Sequence, residues 1–325
     1  MTAFVIRRLL QSAVVVFVMS LIVFFGVNVV GDPVDMLINP EADQEDIERA
    51  IRALGLDRPI GEQYFYFVKG ALSGDFGRSF IFGEPALKLV LQRMPATFEL
   101  AFTALVMAIV FGIPLGLYAG LRPNALSSKT IMAGSILGFS LPTFWVGLML
   151  IMVFAVMLGW LPATGRGEVA TFLGISSSLF TLDGLSHIIL PAFNLALLKI
   201  SLVIRLTRAG TREAIYQDYI KFARAKGLSE NRIIFVHLLK NILIPVVTVL
   251  GLEFGNLVAF SVVTETIFAW PGMGKLLIDS IQQLDRPVIV AYLIVIVLLF
   301  VLINLIVDVL YSVLDPRVRI GESQT

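Results

Sequence analysis

The residues that could carry out chemistry are few in this chain, and their spacing argues against catalysis. The segment Gly272-Met273-Gly274-Lys275 has the form in which phosphate-binding loops end. The complete motif requires a glycine five residues before the final glycine and a Ser or Thr after the lysine. This chain has Ala269 and Leu276 at those positions. The sequence therefore argues against a nucleotide site in this segment.

A serine nucleophile with a histidine base is the best enzymatic alternative. Ser140 closes a Gly-x-Ser sequence and His187 begins another apolar run, so the two could form the dyad of an intramembrane protease. Such a dyad needs the base within hydrogen-bond distance of the nucleophile. One Gly-x-Ser in a glycine-rich chain is weak evidence, and Pro142 indicates that Ser140 lies at a helix irregularity. We therefore predict that the chain is not an enzyme.

Metal ligands are also scarce. The chain has no cysteine and only two histidines, His187 and His237. The absence of cysteine excludes disulfides and thiolate metal sites, and two separated histidines argue against a histidine cluster. We interpret His237 as part of an amphipathic helix near the membrane surface and His187 as an interfacial residue. No metal site is predicted.

The composition predicts an integral membrane protein. Hydrophobic residues make up 57% of the chain and charged residues 15%, whereas soluble domains carry about 25% charged residues. The apolar residues are concentrated in runs long enough to span a bilayer, which takes about 20 residues. In lipid, such spans must satisfy their own backbone hydrogen bonds, so we predict an all-α protein. Six spans are predicted: Leu9–Val30, Thr97–Gly120, Thr130–Leu158, His187–Ile204, Ile242–Val263 and Val288–Leu314.

Two details of these spans are further expectations. Pro114, Pro142 and Pro191 are expected to interrupt their helices. The first run is longer than the apolar part of a signal peptide, and Gly31-Asp32-Pro33 is not a small-x-small cleavage site. We therefore predict that Leu9–Val30 is a retained membrane helix.

The distribution of basic residues predicts the orientation, although the net charge of +1 says nothing about partners. Cytoplasmic loops carry an excess of Lys and Arg. A cytoplasmic N-terminus places most basic residues on that side: Arg7, Arg8, Arg122, Lys129, Arg317, Arg319 and the basic loop 205–241. Six spans then also place the C-terminus in the cytoplasm.

This orientation divides the chain into four parts. They are an N-terminal membrane helix (1–30), an extracytoplasmic segment (31–96), a core with five membrane helices (97–314) and a cytoplasmic tail (315–325). In the extracytoplasmic segment, Asp43 is predicted to cap a short helix that ends at Gly55, with Ile47, Ile51 and Leu54 on one face. Pro59 is predicted to begin a second helix that contains Tyr64, Phe65, Phe67 and Val68.

The basic loop has the pattern of a helix, a glycine and a second helix. Tyr219, Phe222, Ala223 and Lys226 share one face at helical spacing. Three small residues allow another surface to approach closely: Ala223, Ala225 and Gly227. A solvated juxtamembrane loop with the usual positive charge is the alternative, and the residues alone leave both interpretations open.

The segment from Asp218 to Leu228, Asp-Tyr-Ile-Lys-Phe-Ala-Arg-Ala-Lys-Gly-Leu, resembles the EAA loop of ABC-importer permeases. It is most similar to the dipeptide, oligopeptide and nickel branch. Other segments match this branch in the same order: Arg7-Arg8-Leu9-Leu10, Gly31-Asp32-Pro33, Leu54-Gly55-Leu56-Asp57-Arg58-Pro59, Gly74-Asp75-Phe76-Gly77, Arg93-Met94-Pro95-Ala96-Thr97, Leu141-Pro142-Thr143-Phe144-Trp145, Glu265 to Gly274 and Asp315-Pro316-Arg317-Val318-Arg319. Two positions depart from the general motif, because Lys240 replaces its proline and Lys221 its leading glutamate.

The resemblance implies a type I ABC-importer permease fold and a place in the bacterial or archaeal inner membrane. Such permeases work with a second permease subunit, which is typically a different chain, with two ATPases that bind ATP and Mg, and with an extracytoplasmic binding protein. The chain itself would bind no cofactor and no nucleic acid. Di- and oligopeptides are the default substrates, and nickel chelates, glutathione, opines and glycosides are alternatives. A secondary transporter is the less favoured class.

The resemblance also assigns roles to residues. A short coupling helix would insert into a groove on one ATPase through Asp218, Tyr219, Phe222, Ala223, Arg224, Ala225, Lys226, Gly227 and Leu228. The binding protein would dock on the outside, where the candidates are Glu45, Asp46, Trp270, Pro271 and Gly272.

The pathway should lie between the two permeases, where polar groups within spans are the best indicators. Glu253 lies near the middle of the fifth span, where a lone charge costs about 2.5–3.5 kcal/mol. Asn256 lies on the same helix face, and Lys199 and Asn194, at comparable depth in the fourth span, are the candidate partners of Glu253. Two interpretations remain open: the Glu253–Lys199 pair holds two helices together, or it lines the pathway.

Overall fold

The structure is a computed structural model that describes residues 2–27, 44–54 and 57–314. The chain divides into two compact units. The first comprises Met1–Thr97 with Pro271–Leu302, and the second comprises Phe98–Trp270 with Ile303–Thr325. The predictions for Gly31–Pro33, Asp43, Gly55 and the tail 315–325 lie outside the described residues.

The described residues contain five helices that are long and apolar enough to span a membrane, and six such elements when one bent pair of helices is counted as a span. The six predicted spans fall on these elements. They are α1 (Thr2–Val27), α4 (Ala86–Leu121), the bent pair α5 (Leu126–Ser140) and α6 (Thr143–Leu150), α7 (Leu182–Ala214), α10 (Leu239–Ile267) and α12 (Arg286–Leu314). The shorter helices are α2 (Gln44–Leu54), α3 (Ile60–Ser73), α8 (Asp218–Ala225), α9 (Glu230–Arg232) and α11 (Met273–Gln282).

The third span is not one straight helix, and the prolines explain why. Helices α5 and α6 meet at an angle of 108°. Pro142 restricts the residue before it to extended backbone, and Leu141 has φ −81° and ψ 136°. By contrast, α4 continues through Pro114 and α7 through Pro191, so the expected interruptions at those two positions are wrong. Neighbouring helices in a membrane protein can satisfy the backbone groups that a proline frees.

In the first unit, α3 packs along α1. The Tyr64 hydroxyl shares a 2.8 Å hydrogen bond with Ser20, and the Phe24 ring contacts the rings of Tyr64 and Phe67. Helix α3 begins after Pro59, as predicted, and ends at Gly74, whose φ of +74° suits glycine. The described part of the segment between α1 and α4 thus contains the two helices α2 and α3, and α3 is attached to a membrane helix.

In the second unit, α7 is the central helix and packs against α4, α5 and α10. Three glycines of α4, Gly112, Gly116 and Gly120, face α7 at four-residue spacing. A Cβ atom at Gly116 would lie only 2.7 Å from the Thr207 Cβ. Glycine is therefore required for the backbones to approach this closely.

A hairpin between α6 and α7 was not predicted. A π-helical turn, Ile151–Met157, follows α6, and strand β1 (Ala170–Phe172) then pairs with β2 (Ile175–Ser177) in antiparallel register. Leu173 and Gly174 form the turn with φ of +50° and +80°. Positive φ at both central residues is the geometry of a tight hairpin turn.

Candidate functional site

The segment 218–228 forms a short helix with a sharp end. Helix α8 follows Gln217 and is closed by Gly227, which has φ +75°. The Gly227 amide donates to the Arg224 carbonyl over 2.9 Å, and the Leu228 amide donates to the Ala223 carbonyl over 3.3 Å. A Cβ atom at Gly227 would meet nothing within 4 Å, so the backbone angle and not space requires glycine there.

Helix α8 has a buried face and an exposed face. Ile220 and Ala223 are 0% and 6% exposed, whereas Tyr219 and Phe222 are 39% and 62% exposed. The prediction that Ala223 shares the exposed surface with the two aromatic rings is therefore wrong. Its methyl group packs inside the chain, because α8 needs an apolar face to stay attached. The small residues that remain exposed are Ala225 and Gly227.

Charged contacts hold α8 in place. The Arg224 guanidinium donates twice to the Glu230 carboxylate, over 2.9 and 3.3 Å, which ties α8 to α9. Hydrogen bonding to Glu230 raises the pKa of Arg224 above its ordinary value. Lys226 lies 4.6 Å from the centre of the Phe222 ring, and Lys221 donates to Asp218 over 2.9 Å. The exposed aromatic rings are thus presented by a helix whose C-terminal end is tied to α9 through Glu230.

The structure brings Lys199, Glu253 and Asn256 together within the membrane span. Lys199 of α7 forms an ion pair with Glu253 of α10, and both side chains are 19% exposed. The Asn256 amide donates to Glu253 Oε2 over 3.4 Å. Both charged residues lie about halfway along their helices, so the pair lies near the middle of the bilayer.

Asn194 does not join this group. Its side chain is fully buried, and its amide donates to Thr264 Oγ1 over 3.0 Å. Among the described residues its Oδ1 atom has no hydrogen-bond partner. The expectation that Asn194 partners Glu253 is therefore wrong, because Asn194 faces the end of α10 that carries Thr264. The α7–α10 contact thus includes an ionic pair and a neutral hydrogen bond.

Two of the predicted docking residues are buried. Trp270 is 0% exposed and Gly272 is also buried, whereas Pro271 is half-buried. The prediction that the binding protein contacts the Trp270 side chain is therefore wrong. Burial stabilises this large apolar ring, and the buried ring offers no surface to a partner. Glu45 is exposed and lies 3.4 Å from Arg49 in an i,i+4 ion pair. The Asp46 side chain lies outside the described residues.

Sequence reasoning missed a buried carboxylate near the start of the second span. Glu99 is 8% exposed and accepts hydrogen bonds from the Arg166 guanidinium and from the hydroxyl and the backbone amide of Ser178. These bonds connect α4 to both ends of the loop that carries the hairpin. A single acidic residue inside an apolar run was the available signal.

The residues of the rejected protease dyad have local roles. The Ser140 hydroxyl donates to the Ile136 carbonyl over 2.9 Å, within its own helix. His187 Nδ1 lies 2.9 Å from the Asp183 carbonyl. Both contacts satisfy a polar side chain on a helix, and neither activates a nucleophile.

The chain belongs to the family described as "Binding-protein-dependent transport system inner membrane component". The profile of this family matches residues 112–320. A second profile, described as "Binding-prot-dependent transport system membrane comp, N-term", matches residues 1–101. The chain is thus a multi-pass permease subunit of an ABC importer and not an enzyme, and the ATPase is a separate subunit.

Individual relatives match over nearly the whole chain. The di/tripeptide transport system permease protein DppB of Pseudomonas aeruginosa is 39% identical, covering 98% of this chain and 99% of the relative. The glutathione transport system permease protein GsiC of Escherichia coli K12 is 38% identical with the same coverage. Two crystal forms of the inward-facing MetNI methionine ABC transporter contain chains with TM-scores of 0.53 and 0.52. At 19% and 18% identity over 70% of this chain, they show the fold alone.

Proposed function

We propose that this chain forms half of the translocation pathway of an importer for di- and oligopeptides. The observation that carries the proposal is the similarity, over 98% of the chain, to permeases named for di/tripeptides and for glutathione, which is itself a small peptide. The other half is a second permease, which we expect to be a different chain. Two ATPases supply the energy from ATP and Mg²⁺, and an extracytoplasmic binding protein delivers the substrate.

The substrate class is tested by uptake into proteoliposomes that contain the complete complex. Labelled di- and tripeptides are expected to accumulate when the binding protein is outside and ATP is inside. Glutathione, nickel chelates, opines and glycosides are the competitors, each supplied in excess. If labelled peptides do not accumulate and a glycoside or a nickel chelate is imported instead, the proposed substrate class is wrong.

The energy of ATP hydrolysis reaches the permease, we propose, through the 218–228 segment. Two features support this role. The rings of Tyr219 and Phe222 are exposed on the same helix, α8. Exposed apolar groups that lie close together often mark a contact with a partner. Buried Ile220 and the Arg224–Glu230 bonds hold the helix firmly, so a push on α8 is transmitted to the membrane helices. A flexible loop would absorb the same displacement.

Phe222→Ala tests this role, and the chain offers a matched control. Phe235 is equally exposed, at 62%, but lies in the π-helical turn Ile233–Leu238 outside α8. We expect Phe222→Ala to lower uptake and the amount of ATPase that copurifies with the permease by about thirtyfold or more, since an aromatic anchor in a groove contributes at least ~2 kcal/mol. Phe235→Ala should change both by less than about twofold. Equal behaviour of the two variants would assign coupling to another segment.

The orientation of the chain is a separate part of the proposal. From the charge pattern we propose that both termini and residues 205–241 lie in the cytoplasm. Cysteines introduced at Ser73 and Ser229, both exposed, report on the two sides. In intact cells an impermeant thiol reagent is expected to label Ser73→Cys and not Ser229→Cys. Labelling of Ser229→Cys without labelling of Ser73→Cys would show that the chain has the opposite orientation.

A further inference from the structure

The hydrogen bonds of Lys199 and Glu253 leave bonding capacity unused on both side chains. Lys199 Nζ and Asn256 Nδ2 both donate to the same carboxylate atom, Glu253 Oε2. Within the described part of the chain, no donor reaches Oε1. The Lys199 ammonium has three N–H donors, of which Glu253 occupies one. The pair therefore offers one acceptor atom and two donors to a further group.

These unused groups can be reached. Each side chain of the pair is 19% exposed, although both lie about halfway along membrane helices. Ionisable residues at this depth face the interior of a helix bundle or a water-filled cavity, because exposure to lipid is too costly. The open side of the pair thus faces the interior of a helix bundle or a water-filled cavity and not lipid.

Holding two helices together does not require charges here. Next to the pair, Ile200 of α7 and the residues Leu250 and Leu257 of α10 are almost fully buried. The Asn194–Thr264 bond adds a neutral polar link between the same helices. Replacing a buried ion pair by apolar residues is often neutral or stabilising. An ion pair with spare donors and a spare acceptor therefore suits binding better than it suits packing.

We propose that Lys199 and Glu253 bind the two charged ends of a zwitterionic substrate during translocation. The Lys199 ammonium donates to the carboxylate of the substrate, and the ammonium of the substrate donates to Glu253 Oε1. Asn256 keeps the Glu253 carboxylate in position through Oε2. This assignment rests on the proposed function, since a peptide with free termini carries both charges, and it adds a binding site within the membrane to the selection by the binding protein.

The first test neutralises both members of the pair, because a single substitution would leave an unpaired charge. The double variant Lys199→Met/Glu253→Gln is compared with Lys275→Met/Asp279→Asn, which removes an ion pair with a 2.6 Å separation from the short helix α11. Both are reconstituted as the full complex in proteoliposomes. Uptake of a free-termini dipeptide should fall at least about tenfold in the first variant, the scale of losing a charge-assisted contact. The control should import the dipeptide as the unsubstituted complex does.

The second test examines binding without the binding protein. A dipeptide with a photoreactive phenylalanine is added to the complex in proteoliposomes, and cross-linked fragments of the permease are mapped. Cross-links are expected on α7 and α10 near Lys199 and Glu253. An unlabelled dipeptide with free termini should suppress them, whereas the same dipeptide with an acetylated N-terminus and an amidated C-terminus should not.

Each outcome decides the matter. Normal uptake by Lys199→Met/Glu253→Gln, absence of cross-links at this site, or equal competition by the blocked dipeptide would overturn the proposal. If the double variant fails to assemble, Lys199→Glu/Glu253→Lys restores an ion pair with opposite polarity. If this charge-swapped variant assembles and imports the dipeptide but gives no cross-link to the photoreactive dipeptide, the ion pair only stabilises the helix contact, and the binding role is overturned. Lack of peptide uptake by the unsubstituted complex would instead refute the proposed function itself.

Discussion

The 218–228 segment and the Lys199–Glu253 pair differ in what holds their residues in place. Helix α8 is positioned by its immediate neighbours in sequence, through Ile220, Ala223 and the Arg224–Glu230 bonds. The ion pair joins residues that are 54 positions apart, and it exists only because α7 and α10 pack together. Changes on the exposed face of α8 should therefore affect coupling alone. Changes that leave an unpaired charge or a steric clash between the membrane helices should affect folding first.

The largest effect is expected where the backbones of α4 and α7 are closest. In Gly116→Val, the new Cβ would lie 2.6 Å from the Ile204 carbonyl oxygen, and backbone atoms cannot move aside as side chains do. We expect a loss of stability of at least about 3 kcal/mol. Thermal unfolding in detergent and the yield of folded permease measure this loss.

Gly134→Val is the matched control, since a Cβ at Gly134 of α5 meets nothing within 4 Å. It should keep most of the yield. Equal losses in the two variants would mean that helix propensity, and not the close contact of α4 with α7, determines the effect.

The next largest effect is expected for breaking the ion pair on one side. Lys199→Met leaves the Glu253 carboxylate uncompensated within the membrane, which should cost about 1–3 kcal/mol, less than for a fully buried pair because each side chain is partly exposed. Adding Glu253→Gln should recover most of this stability in the same unfolding measurement. The amount of copurifying ATPase should stay normal in Lys199→Met. Detachment of the ATPases would show that the two regions are not independent.

A smaller and more local effect separates two alanines of α8. Ala223→Glu places a carboxylate on the buried face and should detach the helix, so that proteolysis of the segment becomes faster. Ala225→Glu lies on exposed surface and should leave proteolysis unchanged while it lowers recovery of the ATPases. If Ala225→Glu recovers normal amounts of ATPase and imports peptide normally, the exposed face of α8 makes no contact with a partner.

The smallest effect is expected at the α2 helix. Charge reversal at Glu45, together with Asp46, should weaken the stimulation of ATP hydrolysis by the binding protein by about twofold to fivefold. An exposed ion pair such as Glu45–Arg49 contributes only about 0–1 kcal/mol, so the stability of the permease should not change. Unchanged stimulation at several binding-protein concentrations would remove α2 from the docking surface.

Much of this molecule follows from the sequence alone. Long apolar runs must become helices in lipid, so the six spans were predictable, and a glycine between two helical patterns indicated the end of α8, where Gly227 has φ +75°. The pairing of Lys199 with Glu253 was also predictable, although the sequence left open whether the pair links two helices or lines the pathway. Charged residues within membrane spans form ion pairs because a lone charge is costly there. These features were predictable because backbone preference and the cost of a charge in lipid depend on the residue itself and its near neighbours in sequence, and not on distant segments.

Only the tertiary structure decided which side chains are buried and which partners the polar side chains contact. It buried Trp270 and Ala223, turned Asn194 to Thr264, and assembled Arg166 and Ser178 around Glu99. It also kept α4 continuous through Pro114 and α7 continuous through Pro191, whereas the sequence had predicted a break at all three prolines and only the break at Pro142 occurs. The reason is that burial and pairing depend on atoms contributed by distant segments. Sequence spacing states which residues share a helix face, but not which neighbour that face will meet.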